Sequence, residues 1–158
     1  MKIKIAWIGK TKEPAIQSLT DEYLKRISHY AAVEALPLRD EEQLLSLAGS
    51  PAHKKISAST SRSSSKDRHK LVLLDSQGKQ LSSEDLAQFL ERERLNAVPL
   101  LFAVGGSDGF SEAARHLATS TISLGKMTFP HQLARVVLLE QLYRAFTILS
   151  KHPYHLGH

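Results

Sequence analysis

The segment LLFAVGGSDG, residues 100–109, decides the fold. Leu100, Leu101, Phe102, Ala103 and Val104 run without a polar interruption, the pattern of a strand buried on both faces of a parallel sheet. They open directly into Gly105-Gly106-Ser107-Asp108-Gly109, where glycine allows a tight turn or a close backbone approach by a ligand. A similar arrangement stands on either side. Leu71 to Asp75 is an apolar run before the turn Ser76-Gln77-Gly78-Lys79, and Thr121 to Leu124 precedes a loop that ends at Pro130. Strands that end in such loops and continue into helices belong to an open α/β sheet, which takes its ligand at the carboxyl ends of the strands.

Outward from this centre the alternation continues. Residues 2–8 alternate and read as a strand, and Pro14 opens a helix carried by Ile16, Leu19, Tyr23, Leu24 and Ile27. Ala32 to Leu38 is a second strand, and Asp40 with Gln43 caps a short helix. Ser82 or Ser83 starts a helix bearing Leu86, Phe89 and Leu90; Val98 to Val104 is a strand, Ser111 to about Ala118 a helix, and residues 131–150 the longest helix. The spacing predicts an α/β fold, a mainly parallel sheet with helices on both faces, in a single domain over residues 1–158.

The net charge of +5 is local. Lys54, Lys55, Arg62, Lys66, Arg68 and Lys70 stand against Asp67 alone and account for all of it. Ser57 to Ser65 is low-complexity and lacks apolar periodicity, so a flexible Ser/basic loop is expected at about 50–69. That loop is either passively solvated or an RNA contact. With no cysteine, disulfides and Cys-zinc sites are excluded. No stretch approaches the roughly 20 apolar residues of a membrane span, which predicts a soluble cytoplasmic chain without a membrane partner.

Gly105 to Gly109 is neither a dinucleotide fingerprint nor a Walker loop, and Asp108 could cap the next helix. His152, His155 and His158 are three apart, but Pro153 and Gly157 interrupt any helix and no carboxylate completes a set, so no metal is expected. Glu140 and Arg144, at i and i+4, share a helix face, with Arg135 on a related one. Val136, Val137, Leu138, Leu139, Leu142 and Phe146 make this helix apolar nearly all round, which suggests a dimer contact and places its charges near an interface or pocket. Ser107 has no visible triad, so any chemistry is transfer between bound ligands.

Five blocks in one order, Leu74-Asp75-x-x-Gly78-Lys79, Gly105 to Gly109, Thr128-Phe129-Pro130-His131-Gln132-Leu133-Ala134-Arg135, Glu140 to Ala145 and His152-Pro153-Tyr154-His155, resemble the ribosomal RNA large subunit methyltransferase H family. The resemblance is firm over residues 71–155 and looser over the first fifty. It implies a SPOUT-class α/β trefoil knot acting as a homodimer. The activity implied is S-adenosylmethionine-dependent methylation of N3 of a pseudouridine in 23S ribosomal RNA on the assembled ribosome. By that resemblance Leu74, Gly105, Gly125, Lys126, Met127, Thr128, Phe129 and Pro130 match cofactor positions. Glu140, Arg144, Tyr154 and His155 match positions in the active site and RNA handling. Two features depart from the family: Leu156 stands where a basic residue usually follows the final Tyr-His, and the Ser-rich tract replaces a regular helical segment. Read without the resemblance, the chain also fits a non-catalytic RNA- or ribosome-binding module, with a phosphate-binding hydrolase as a weaker third.

Overall fold

The computed structural model describes residues 1–49 and 69–156, apart from the side chain of His155. The expected loop at 50–69, with Lys54, Lys55, Arg62, Lys66 and Arg68, therefore lies almost wholly outside the described residues. Elements alternate as the spacing predicts: β1 (Lys2–Ile8), α1 (Pro14–Ser28), β2 (Ala32–Leu38), α2 (Glu41–Leu47), β3 (Lys70–Gln80), α3 (Ser83–Asn96), β4 (Leu100–Val104), α4 (Glu112–Leu117), β5 (Ser120–Ser123) and α5 (His131–Leu149). A 3-10 turn, Pro153–Leu156, follows.

All strand pairs are parallel, in the order β2-β1-β4-β3-β5. The apolar run of β4 takes the central position, and all five of its residues are buried. Alternate side chains serve two cores. Ile3, Ile5, Val72, Leu100 and Phe102 pack with α1, α3 and α5, while Ala6, Leu71, Leu73, Leu101 and Ala103 pack with Leu44 of α2 and Ala114 of α4. Helices thus cover both faces, and the exposed strand positions fall on the edge strand β2, at Lys2 of β1 and in the second half of β3.

Start signals work locally. The Asp40 carboxylate accepts from Gln43 N–H at 3.1 Å, and Ser82, not Ser83, forms the capping box of α3 with Asp85. The cap of α4 is Ser111, whose hydroxyl accepts from Ala114 N–H at 3.2 Å; Asp108 is exposed in the preceding loop and does not cap it.

The turn expected at Ser76 to Lys79 proves to be an excursion within β3. Leu74 pairs with Ile122, the chain detours, and Lys79 then pairs with the same Ile122. Gly78 makes this possible: a Cβ there would sit 2.6 Å from the carbonyl carbon of Ile122 and 2.7 Å from that of Thr121. Sequence periodicity carries no trace of so close a backbone crossing.

The apolar circumference of α5 has an intrachain cause. Leu138, Leu139, Leu142 and Ala145 are buried in the core shared with the sheet, and α1 and α3 pack against the helix. Leu133, Val137, Glu140 and Arg144 remain at least partly accessible, a mixed stripe. Arg135 does not share the face of Arg144. Nine residues at about 100° each separate them, which is half a revolution, and Arg135 is buried at 1% exposure. Among the described residues no helix is long and apolar enough to cross a membrane.

Candidate active site

A cavity of about 670 Å³ lies over the carboxyl ends of β3, β4 and β5. Leu74, Val104, Leu124 and Phe129 give it apolar walls, while Asp75, Ser107 and Thr128 bring polar groups. Of the eight positions expected to meet a cofactor, Leu74, Gly105, Gly125, Met127, Thr128, Phe129 and Pro130 line it, whereas Lys126 is exposed and outside the lining. Residues some fifty apart in sequence meet because parallel strands end at the same level.

The loop after β5 is fixed at its root. Ser123 Oγ donates to the Gly125 carbonyl at 2.9 Å and accepts from Gly125 N–H at 3.0 Å. Gly125 has φ +133°, a conformation that side-chain-bearing residues rarely adopt. Gly105 has a packing role of its own, since a Cβ there would press on the Phe110 ring at 3.2 Å. At Gly106 nothing lies within 4 Å of the corresponding position, so the backbone beside the cavity is open.

Sequence reasoning missed a clasp on the opposite wall. Arg115 of α4 reaches Asp75 at 3.1 Å, and the other carboxylate oxygen accepts from Gln77 N–H at 2.9 Å. The pair ties the β3 excursion to α4, and its ion-pair hydrogen bond strengthens the hold of Arg115 on its proton. Asp75, at the end of an apolar strand, carried a weak positional signal. Arg115, forty residues away, carried none.

Glu140, Arg144 and Tyr154 form a second group. Arg144 donates from Nε and Nη2 to the same Glu140 oxygen at 3.0 and 2.7 Å, and Tyr154 O–H reaches that oxygen at 3.3 Å. Tyr154 stacks edge-on against Tyr143 at 4.7 Å and lies under the Arg144 guanidinium at 5.1 Å. Burial, followed by Tyr23 and Glu140, pushes its phenol up to about 12. The hydrogen bond to Glu140 raises the Arg144 pKa further. His155 lies in the 3-10 turn, and its side chain, like His158, falls outside the described residues. Among the described residues no group of three His, Cys, Asp or Glu could hold a metal.

The two groups are apart within one chain. Arg144 lies ten residues beyond Ala134, the last helix residue lining the cavity, or about 15 Å along α5 at 1.5 Å per residue.

A family model described as "Predicted SPOUT methyltransferase" matches residues 1–155. The ribosomal RNA large subunit methyltransferase H of Koribacter versatilis is 52% identical over 100% of both chains. That of Geobacter sulfurreducens is 42% identical over 98% of this chain and 99% of its own. The chain belongs to the ribosomal RNA large subunit methyltransferase H family of SPOUT methyltransferases. The fold agrees with solved SPOUT-type structures. The SpoU methyltransferase AviRb of Streptomyces viridochromogenes, solved with AdoMet, superposes with a TM-score of 0.51 at 15% identity; the match covers 90% of this chain and 57% of that one. A probable methylase family protein of Haemophilus influenzae superposes with a TM-score of 0.53 at 9% identity, over 96% of this chain and 69% of that one.

Proposed function

We propose that this SPOUT methyltransferase uses S-adenosylmethionine to methylate ribosomal RNA, at N3 of a pseudouridine in 23S RNA of the assembled ribosome. The family assignment supports the reaction and the cofactor, and the resemblance of the five sequence blocks supports the nucleotide. The carrying observation is the cavity itself, which gathers seven of the eight expected cofactor positions. Its size lies within the range of about 300–1,000 Å³ usual for small-molecule pockets. Apolar walls suit the adenine, and open glycine backbone suits close contact.

S-adenosylmethionine supplies an electrophilic methyl group. The chain then has to hold the acceptor base in line and manage the N3 proton. Arg144 is assigned to stabilising negative charge that develops on the base, with Glu140 holding both Arg144 and Tyr154 in place. Tyr154 offers an aromatic face to a base. With its phenol held near 12 it acts as a neutral hydroxyl and not as a phenolate base. Proton handling is assigned to His155. Because Arg144 and Tyr154 stand well along α5 from the cavity of their own chain, the reading includes a homodimer in which one chain's tail serves the partner's cavity. It also treats residues 1–158 as one domain working in the cytoplasm, where ribosomes are. The trefoil knot belongs to the same reading.

Gly106→Trp tests the cofactor site. Nothing crowds the new Cβ, so the fold should survive, while the indole encroaches on the cavity. S-adenosylhomocysteine affinity, measured by calorimetry, should fall at least about tenfold, equivalent to ~1.4 kcal/mol. Unchanged affinity in the folded variant would remove this cavity from consideration.

Tyr154 gives a pH prediction. Its folded-state pKa is raised, so its contribution to stability is complete below the ordinary tyrosine value near 10 and is lost as pH climbs toward about 12. The unfolding free energy of the wild-type chain should fall relative to Tyr154→Phe across that alkaline window. A constant difference would place Tyr154 in solvent.

A further inference from the structure

The β1–α1 loop, Gly9-Lys10-Thr11-Lys12-Glu13, leaves the sheet at the end of β1, beside β4, where Trp7 is paired with the cavity-lining Val104. Lys10 and Lys12 are exposed, and among the described residues neither makes an ion pair. The one carboxylate of the loop, Glu13, is the exposed N-cap residue of α1 and makes no capping hydrogen bond through its side chain. A freely solvated loop would need no long-range anchor, yet this one has two. Lys12 N–H donates to Gln132 Oε1 at 3.4 Å, across 120 residues of sequence. Arg135 Nη2 donates to Thr11 Oγ1 at 2.9 Å, with its guanidinium 4.0 Å from the centre of the Trp7 ring.

Gln132 and Arg135 belong to the same first turns of α5 whose His131 and Ala134 line the cavity. One helix therefore shapes the cavity wall and holds two lysines beside it. Lys126 adds a third exposed cation on the loop after β5. Exposed positive charges on loops that neighbour the cavity-lining strands are the electrostatic arrangement that follows a nucleic-acid backbone.

We propose that the Gly9–Lys12 loop contacts phosphates of the RNA that presents the methyl acceptor, and that Gln132 and Arg135 are its positioning residues. The proposal rests on the ribosomal RNA reading above and adds the surface by which that RNA is held.

The test compares wild type with the double variant Lys10→Ala, Lys12→Ala in binding to purified ribosomes over a salt series. The logarithmic salt slope should shrink by about 1.4–1.8, from ~0.7–0.9 for each lost phosphate contact. KM for ribosomes should rise while kcat at saturation, S-adenosylhomocysteine affinity and the unfolding midpoint stay at wild-type values. Gln132→Ala, which removes one of the loop's two anchors without removing charge, should also raise KM with kcat retained. A double variant with wild-type slope and KM would overturn the loop assignment while leaving ribosomal methylation intact. Wild-type protein that binds S-adenosylhomocysteine but neither binds nor methylates ribosomes would overturn the ribosomal reading, and the loop assignment with it.

Discussion

Replacing Gly78 by alanine is expected to cost the fold about 3 kcal/mol or more, the upper range for forcing an extra methyl group into packed structure. The added Cβ would stand 2.6–2.8 Å from backbone atoms of Thr121 and Ile122. A flexible side chain could swing away, but these atoms belong to β5 and are held by the β3 ladder on either side of the excursion. Relief requires either strand to shift. A shift would move Leu74 and Leu124 with it, so the cavity should deform before the whole chain unfolds. Denaturant unfolding measures the loss, and S-adenosylhomocysteine titration the deformation. Gly106→Ala is the control, with open space around its Cβ and an expected change within about 0.5 kcal/mol. Equal stability of the two variants would show that β3 and β5 can separate freely.

Deleting residues 154–158 should lower methyl transfer to ribosomes by at least about a hundredfold, the scale of a positioned acid–base group. The chain would lose Tyr154 and with it the third partner of the Glu140–Arg144 pair. Folding should be affected little. The edge-on contact between Tyr143 and Tyr154 accounts for about 0.5–1.5 kcal/mol, and α5 ends five residues earlier at Leu149. S-adenosylhomocysteine affinity should stay unchanged, because among the described residues no tail residue lines the cavity of its own chain. Leu156, 75% exposed, can accept arginine without strain, so Leu156→Arg should hold or raise activity by supplying the basic residue that the family resemblance implies here. Full activity in the truncated chain would move the chemistry back onto Glu140 and Arg144 alone.

Most of the framework was legible in the sequence because it rests on local signals. The apolar run Leu100 to Val104, short and closed by glycines, reads as a buried strand, and Ser82, Ser111 and Asp40 mark helix starts through hydrogen bonds three residues long. The glycine-bearing loops could be placed at strand ends, where parallel topology brings them together. Arg135 was misplaced because its partners, Trp7 and Thr11, lie more than 120 residues away. Much of the apolar girth of α5, which suggested a dimer, packs against its own α1, α3 and sheet, while Leu133 and Val137 stay accessible.

The sequence by itself determined the alternation of strands and helices and the family, since these depend on periodicity, capping and ordered motifs along the chain. Only the tertiary structure decided that β3 detours around Gly78, that Arg115 clasps Asp75, and that α5 grips the β1–α1 loop. It also decided that Arg144 and Tyr154 stand away from the cavity of their own chain. Each of these depends on distances between segments remote in sequence, and packing fixes such distances without leaving a period or a motif to read.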